Sequence, residues 1–255
     1  MTSPPSSLLS KVNIHRPGVD VLTGLVLLLI LVHCGVESVR DTPRWAVVFV
    51  NFGLSLDAVN SAKVWQLLTH ALLHGNWMHL AMNLLMLWLV GARVLHILGT
   101  RKWLYIALLS AVGGGVLHLL TEFIVASGHG EARHLVGASG VCIAMLITLT
   151  TLSPESRMWP IPVSGKNLGL GILITELIFW LIDPRMGLPV ASAIGNQVVL
   201  LGGEKLFQYS HACHLGGGLV GWWMARRLLA PSVSLQQLQQ MRAEREGTIS
   251  HTEQG

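Results

Sequence analysis

Seven stretches of this chain carry almost no charge, and they decide the solvent in which it folds. Residues 21–36, 65–92, 103–121, 134–154, 186–203 and 206–225 contain no Asp, Glu, Lys or Arg, and 167–182 contains only Glu176. Charged residues are 12% of the 255 positions and hydrophobic ones 51%, with a mean hydropathy of +0.56. A helix that crosses a bilayer needs about 20 mainly apolar residues, so the pattern predicts an all-α integral membrane protein with the lipid bilayer as its first partner.

Six of the stretches read as spans. The segment 186–203 holds Pro189, Gly195, Asn196 and Gln197, which suit a lipid-exposed helix poorly, and it is expected to form an extracytoplasmic, partly re-entrant loop. Six spans place Lys11, Arg16, Arg93, Arg101, Lys102, Arg157, Lys166, Arg226, Arg227, Arg242 and Arg245 on one side, against Arg40, Arg44, Lys63, Arg133, Arg185 and Lys205 on the other. Lys and Arg collect on the cytoplasmic side of short loops, so both termini are expected in the cytoplasm, and the net charge of +4 is an orientation signal. The expected organisation is a cytosolic tail over 1–17, a membrane domain over 18–230 and a cytosolic tail over 231–255, in a bacterial inner membrane. The first apolar run resembles a signal-peptide core ahead of Cys34, but His33 is not the small residue that cleavage requires, so the run reads as an uncleaved span.

Polar residues inside such spans mark chemistry by default. Ser139, between Gly137 and Gly140, starts the fourth span, where unpaired backbone N–H groups and the helix dipole favour a developing oxyanion. The two glycines are expected to leave room for a substrate carbonyl. His214 starts the sixth span from the same side, at a depth where a neutral imidazole can take the Ser139 proton and return it to a leaving amine. Gly217 and Gly221 follow at i+3 and i+7 on the His214 face, which lets the sixth span approach the fourth closely. In the second span His79 and Asn83 share a face at i, i+4, and the Asn83 amide is a donor suited to an oxyanion hole.

Three motifs, Gly-x-Ser-Gly at 137–140, His-x-x-x-Asn at 79–83 and His-x-x-Gly-x-x-x-Gly at 214–221, lie on the fourth, second and sixth of six spans. Together they resemble the rhomboid intramembrane serine proteases over about 65–223. The resemblance implies a six-helix bundle and a Ser139–His214 dyad without an acid. It also implies an oxyanion held by Asn83, His79 and the Ser139 amide, no cofactor, and substrates that are single-span or other membrane proteins. A sub-branch of that family processes C-terminal sorting anchors of exported proteins, which is the narrower alternative. Two departures stand out: Trp65-Gln66 replaces a Trp-Arg pair, and the loop over 183–209 is long.

The remaining polar residues have plainer expectations. Glu176 is either functional or turned to water or a helix partner. His70, His74, His118, His129, His134 and His211 read as interfacial or loop residues rather than ligands. Trp45, Trp65, Trp77, Trp103 and Trp180 read as interface anchors, and Cys34, Cys142 and Cys213 as small packing residues without metal or disulfide spacing. No His-Glu-x-x-His occurs and the spans hold almost no acids, which disfavours a metal transporter or metalloprotease; a non-catalytic binding or chaperone role is the remaining alternative. No motif or basic stripe points to nucleic acid, and oligomeric state is left open.

Overall fold

Helix ends are written locally in this chain. In the computed structural model, which describes residues 20–57, 61–128, 133–157 and 162–229 together with 239, 240 and 242, Asp20 caps helix α1 (Val21–Glu37) by accepting from the Thr23 amide at 2.7 Å. Asn76 does the same for α4 (Trp77–Met86) through the His79 amide at 2.9 Å, and Ser164 for α7 (Gly165–Leu181) through the Asn167 amide. Side-chain oxygens there satisfy donors that a helix start leaves orphaned. Between α1 and α4 lie α2 (Pro43–Phe52), with Pro at its first position, and the short α3 (Gln66–Thr69). The 1–17 tail lies outside the described residues, as do 231–255 apart from the three named.

From α4 the helix passes through a π turn (Leu87–Gly91) into α5 (Ala92–Ser127). The stretch Trp77–Ser127 is the one helical stretch among the described residues long and apolar enough to cross a membrane, with mean hydropathy 1.8 over its best window; Val21–Glu37 and Ser139–Leu152 are shorter apolar helices. It is not one rod. Gly99 takes φ 75°, and the Trp103 indole N–H donates to the Gly91 carbonyl at 3.0 Å. Twelve residues of straight helix would separate those groups by about 18 Å, so the chain doubles back at Gly99 and forms a hairpin of 77–98 against 100–127. Trp103, expected as an interface anchor, is therefore buried at 1% exposure.

The last elements are α6 (Ser139–Leu152), α7, α8 (Ala191–Val198) and α9 (His211–Leu229). α9 is central, packed along α6 and α5, with α7 against α6 and α9. Glycine permits this closeness. A Cβ on Gly216 would sit 2.6 Å from the Gly113 carbonyl oxygen, and one on Gly217 or Gly221 would overlap the backbone of Gly140 or Ala144. Small residues let helix backbones meet where lipid supplies no hydrophobic drive. On the other side α1 joins the hairpin and α6 in a core that includes Leu22, Leu29, Leu80, Leu87, Ile106 and Met145. Leu31, Leu85, Trp88, Phe123, Leu170 and Trp222 face outward and exposed, an apolar exterior that fits lipid and not water.

The segment 186–203, expected as a loop, carries α8 and a π turn (Val199–Gly203) before a 3-10 turn (Glu204–Gln208). His70, His74 and His118, expected at interfaces or in loops, are instead buried at 1%, 1% and 3% exposure. His129 lies outside the described residues. The described residues form no β-strand; isolated antiparallel bridges join Leu54 to Leu135 and Arg157 to Ser164.

Candidate active site

Ser139 is the first residue of α6, so its hydroxyl stands beside the unpaired amides of a helix start. The turn before it is held by its neighbours. Gly137 has φ 117°, a region closed to most side chains, and its amide donates to the His70 carbonyl at 2.9 Å. A Cβ at Gly137 would lie 2.6 Å from His79 Nε2, and one at Gly140 would lie 2.8 Å from Cys213 Sγ. Both glycines were expected to make room for substrate. They make room instead for the His79 ring and for α9, because both are buried under those neighbours.

The Ser139 hydroxyl lies 2.8 Å from His214 Nε2, across 75 positions of sequence. On the far side of the ring, His214 Nδ1 lies 3.2 Å from Glu176 Oε1, and Glu176 Oε2 lies 2.7 Å from His211 Nδ1. His211 Nε2 faces the Leu206 carbonyl at 2.8 Å, and its ring stacks on Phe179 at 5.1 Å. A carboxylate can only accept, so His214 carries hydrogen on Nδ1 and turns the Nε2 lone pair to Ser139. A carboxylate therefore stands on the far side of His214, where the resemblance implied no acid. His211, expected as an interfacial or loop residue, stands at the start of α9 against the other oxygen of that carboxylate. Glu176 was already conspicuous as the one acid in its stretch; the part of His211 had no sequence signal.

Asn83 is buried at 4% exposure, and its Nδ2 has no partner among the described residues. The Cys142 thiol approaches Asn83 Oδ1 at 3.6 Å, leaving the amide donor as the free end. The place a Cβ would take on Gly137 is 3.7 Å from that Nδ2, so the unpaired donor adjoins the turn before Ser139. A buried donor left unsatisfied costs about 1–3 kcal/mol and marks a place kept for a ligand or water. His79, half-buried, borders a cavity of about 390 Å³ with Ser139, His214, Met82, Val136 and Tyr209.

One tether lies in the wall of this cavity and a second lies in the loop between α1 and α4. Buried Glu122 accepts from the Arg133 amide at 2.7 Å and from Arg185 at 3.0 Å, joining α5 to the segments on either side of α6 and α7. Burial works against the Arg185 charge, but Asp183 and Glu122 outweigh it and hold its pKa above the usual value. Gln66, where the family's arginine would stand, is fully buried, donates to the Val50 carbonyl at 2.9 Å and accepts from the Ser55 amide at 3.2 Å. Its neighbour Trp65 donates to the Asn51 carbonyl at 2.9 Å. The Gln66 amide anchors the end of α2.

Glu176, His211 and His214 each offer one ligand atom within 4.8 Å of the others. A metal there would take the Nδ1 that His214 now uses to bond Glu176, and would compete with the arrangement just described.

A hydroxyl and an imidazole thus meet on adjoining helix starts inside an apolar helical bundle. The chain belongs to the rhomboid family, since the profile of the Rhomboid domain matches residues 61–231. It is similar to the presenilin-associated rhomboid-like protein A, mitochondrial, of Danio rerio, 27% identical over 150 residues that cover 59% of this chain and 34% of that protein. It is similar also to RHOMBOID-like protein 12, mitochondrial, of Arabidopsis thaliana, at 26% over 172 residues covering 62% and 50%. Rhomboid protease GlpG of Photorhabdus laumondii is 31% identical over 143 residues, covering 55% and 45%. The match thus spans a third to a half of the length of these relatives.

Proposed function

We propose that the protein is an intramembrane serine endopeptidase that cuts transmembrane or membrane-proximal segments of other membrane proteins, with Ser139 as nucleophile and His214 as general base. The observation that carries this is the 2.8 Å approach of the Ser139 hydroxyl to His214 Nε2 at the edge of a cavity. As Oγ bonds to the carbonyl carbon, its proton passes to Nε2 and then to the leaving amine. The Ser139 amide, Asn83 Nδ2 and His79 receive the oxyanion.

Six helical segments serve as spans in this reading: α1, 77–98, 100–127, α6, α7 and α9. At 14 residues α6 is about 21 Å long, shorter than a bilayer core of about 30 Å, so Ser139 lies below the membrane surface and water reaches it through the cavity. Both termini are cytoplasmic and flank a membrane domain over 18–230. The proposed membrane is a bacterial inner membrane; the charge asymmetry bears only on orientation within it, and the relatives named above include mitochondrial proteins.

The test is labelling of detergent-purified protein by a fluorophosphonate, together with cleavage of a model transmembrane substrate. Ser139→Ala and His214→Ala are each expected to abolish both while the protein stays folded in the membrane, because nucleophile and base act as one unit. Cleavage retained in either variant would remove the assignment of nucleophile and base, and an unaltered protein that neither labels nor cleaves would favour the non-catalytic binding or chaperone role.

A further inference from the structure

The acid beside His214 departs from the acid-free pair that the family resemblance implies, and its geometry is too ordered to be incidental. Five groups stand in one line from the cavity outward: Ser139, His214, Glu176, His211 and the Leu206 carbonyl, at successive separations of 2.8, 3.2, 2.7 and 2.8 Å. They come from α6, α9, α7 and the 3-10 turn ahead of α9, so no single element imposes the alignment. Each Glu176 oxygen serves a different histidine.

A carboxylate inside a membrane helix is costly unless it is paired. Here it is. His211 faces acceptors at both ring nitrogens, Glu176 and the Leu206 carbonyl, so it offers an N–H to each and balances the carboxylate's charge. Phe179, one turn beyond Glu176 on the same helix, stacks on the His211 ring and fixes its plane. The arrangement leaves Glu176 Oε1 free to accept from His214.

We propose that Glu176 is a positioning residue for His214, and that His211 keeps it ionised and aimed. The proposal rests on the reading of Ser139 and His214 as nucleophile and base. Glu176 accepts the Nδ1–H of His214, which excludes the tautomer whose Nε2 carries hydrogen and cannot act as a base. When Nε2 takes the Ser139 proton, Nδ1–H stays on the ring, Glu176 stays ionised and its charge stabilises the imidazolium. The proton leaves from Nε2 to the amine nitrogen, and Glu176 neither gains nor loses one. Positioning carboxylates of this kind in soluble serine proteases are worth up to about 10⁴-fold in turnover.

The experiment compares Glu176→Gln, Glu176→Asp and His211→Ala with the unaltered protein in detergent, reading kcat and KM on a transmembrane peptide and the rate of fluorophosphonate labelling. Glutamine keeps the shape but presents only one acceptor oxygen to two N–H donors. It is expected to lower kcat and labelling by about a hundredfold or more with KM within about twofold, Glu176→Asp to restore part of the loss, and His211→Ala to fall between. In nuclear magnetic resonance spectra of the unaltered protein, a strongly downfield histidine proton is expected that disappears in both Glu176→Gln and His214→Ala. That signal tests the bond even if a substituted protein fails to fold, and its absence would overturn the proposal. So would wild-type kcat in Glu176→Gln, or activity lost on adding EDTA, which would assign Glu176, His211 and His214 to a metal. Labelling that persists in Ser139→Ala would instead remove the nucleophile assignment on which the proposal stands.

Discussion

Gly217 of α9 rests against the backbone of Gly140 in α6, with no space between them for a single methyl group. Gly140 follows Ser139 by one residue and Gly217 follows His214 by three. The same contact that joins the two helices therefore sets the distance between hydroxyl and imidazole.

Gly217→Val is expected to inactivate the protein without touching a reacting atom. Its side chain must push α9 off α6, and about 1 Å of misplacement costs roughly a hundredfold. Gly171→Ala on α7, where an added Cβ meets nothing within 4 Å, is the matched control and should label at the normal rate. Equal labelling rates for the two variants would mean that the glycine contact does not govern the site.

Asn83→Ala should lower kcat and leave KM and thermal stability nearly unchanged. Its Nδ2 has no partner among the described residues, whereas an oxyanion donor contributes roughly 3 kcal/mol in the transition state. Turnover near normal with a depressed Tm would make Asn83 a structural residue.

Gln66→Ala should destabilise the loop between α1 and α4, because it removes the bonds to the Val50 carbonyl and the Ser55 amide inside a buried pocket. Each such bond contributes about 0.5–1.5 kcal/mol. Thermal unfolding in detergent reads this directly, and faster proteolysis between α1 and α4 should accompany it. A Tm equal to that of the unaltered protein would show that the Gln66 bonds do not anchor this loop.

Substrate choice should follow helix instability. Every backbone carbonyl of a regular membrane helix is bonded internally, so a segment must unwind before Ser139 can attack it. Glycine costs a helix about 1 kcal/mol relative to alanine. A single-span substrate with small residues and a helix breaker near its extracytoplasmic end is expected to be cut, and replacing them by Leu to protect it. Equal cleavage of an all-Leu span would replace this view with recognition of sequence alone.

Much of this protein was legible along the chain because the relevant physics is local. Uncharged length marks membrane helices, and the i, i+3, i+7 spacing of His214, Gly217 and Gly221 defines one face whatever it meets. What that face meets was decided by tertiary structure. Glu176 and His214 are 38 positions apart and touch only because α7 and α9 pack together; nothing in either helix alone distinguishes a positioning carboxylate from one turned to water. Trp103 reads as an interface tryptophan until the reversal at Gly99 lays it on Gly91. The glycines beside Ser139 show the same limit: a missing side chain records that space is needed, and only the folded neighbours, His79 over Gly137 and Cys213 over Gly140, show what fills it. Helices, their caps and their faces follow from neighbours in sequence, whereas hydrogen bonds between helices depend on which faces the bundle brings together.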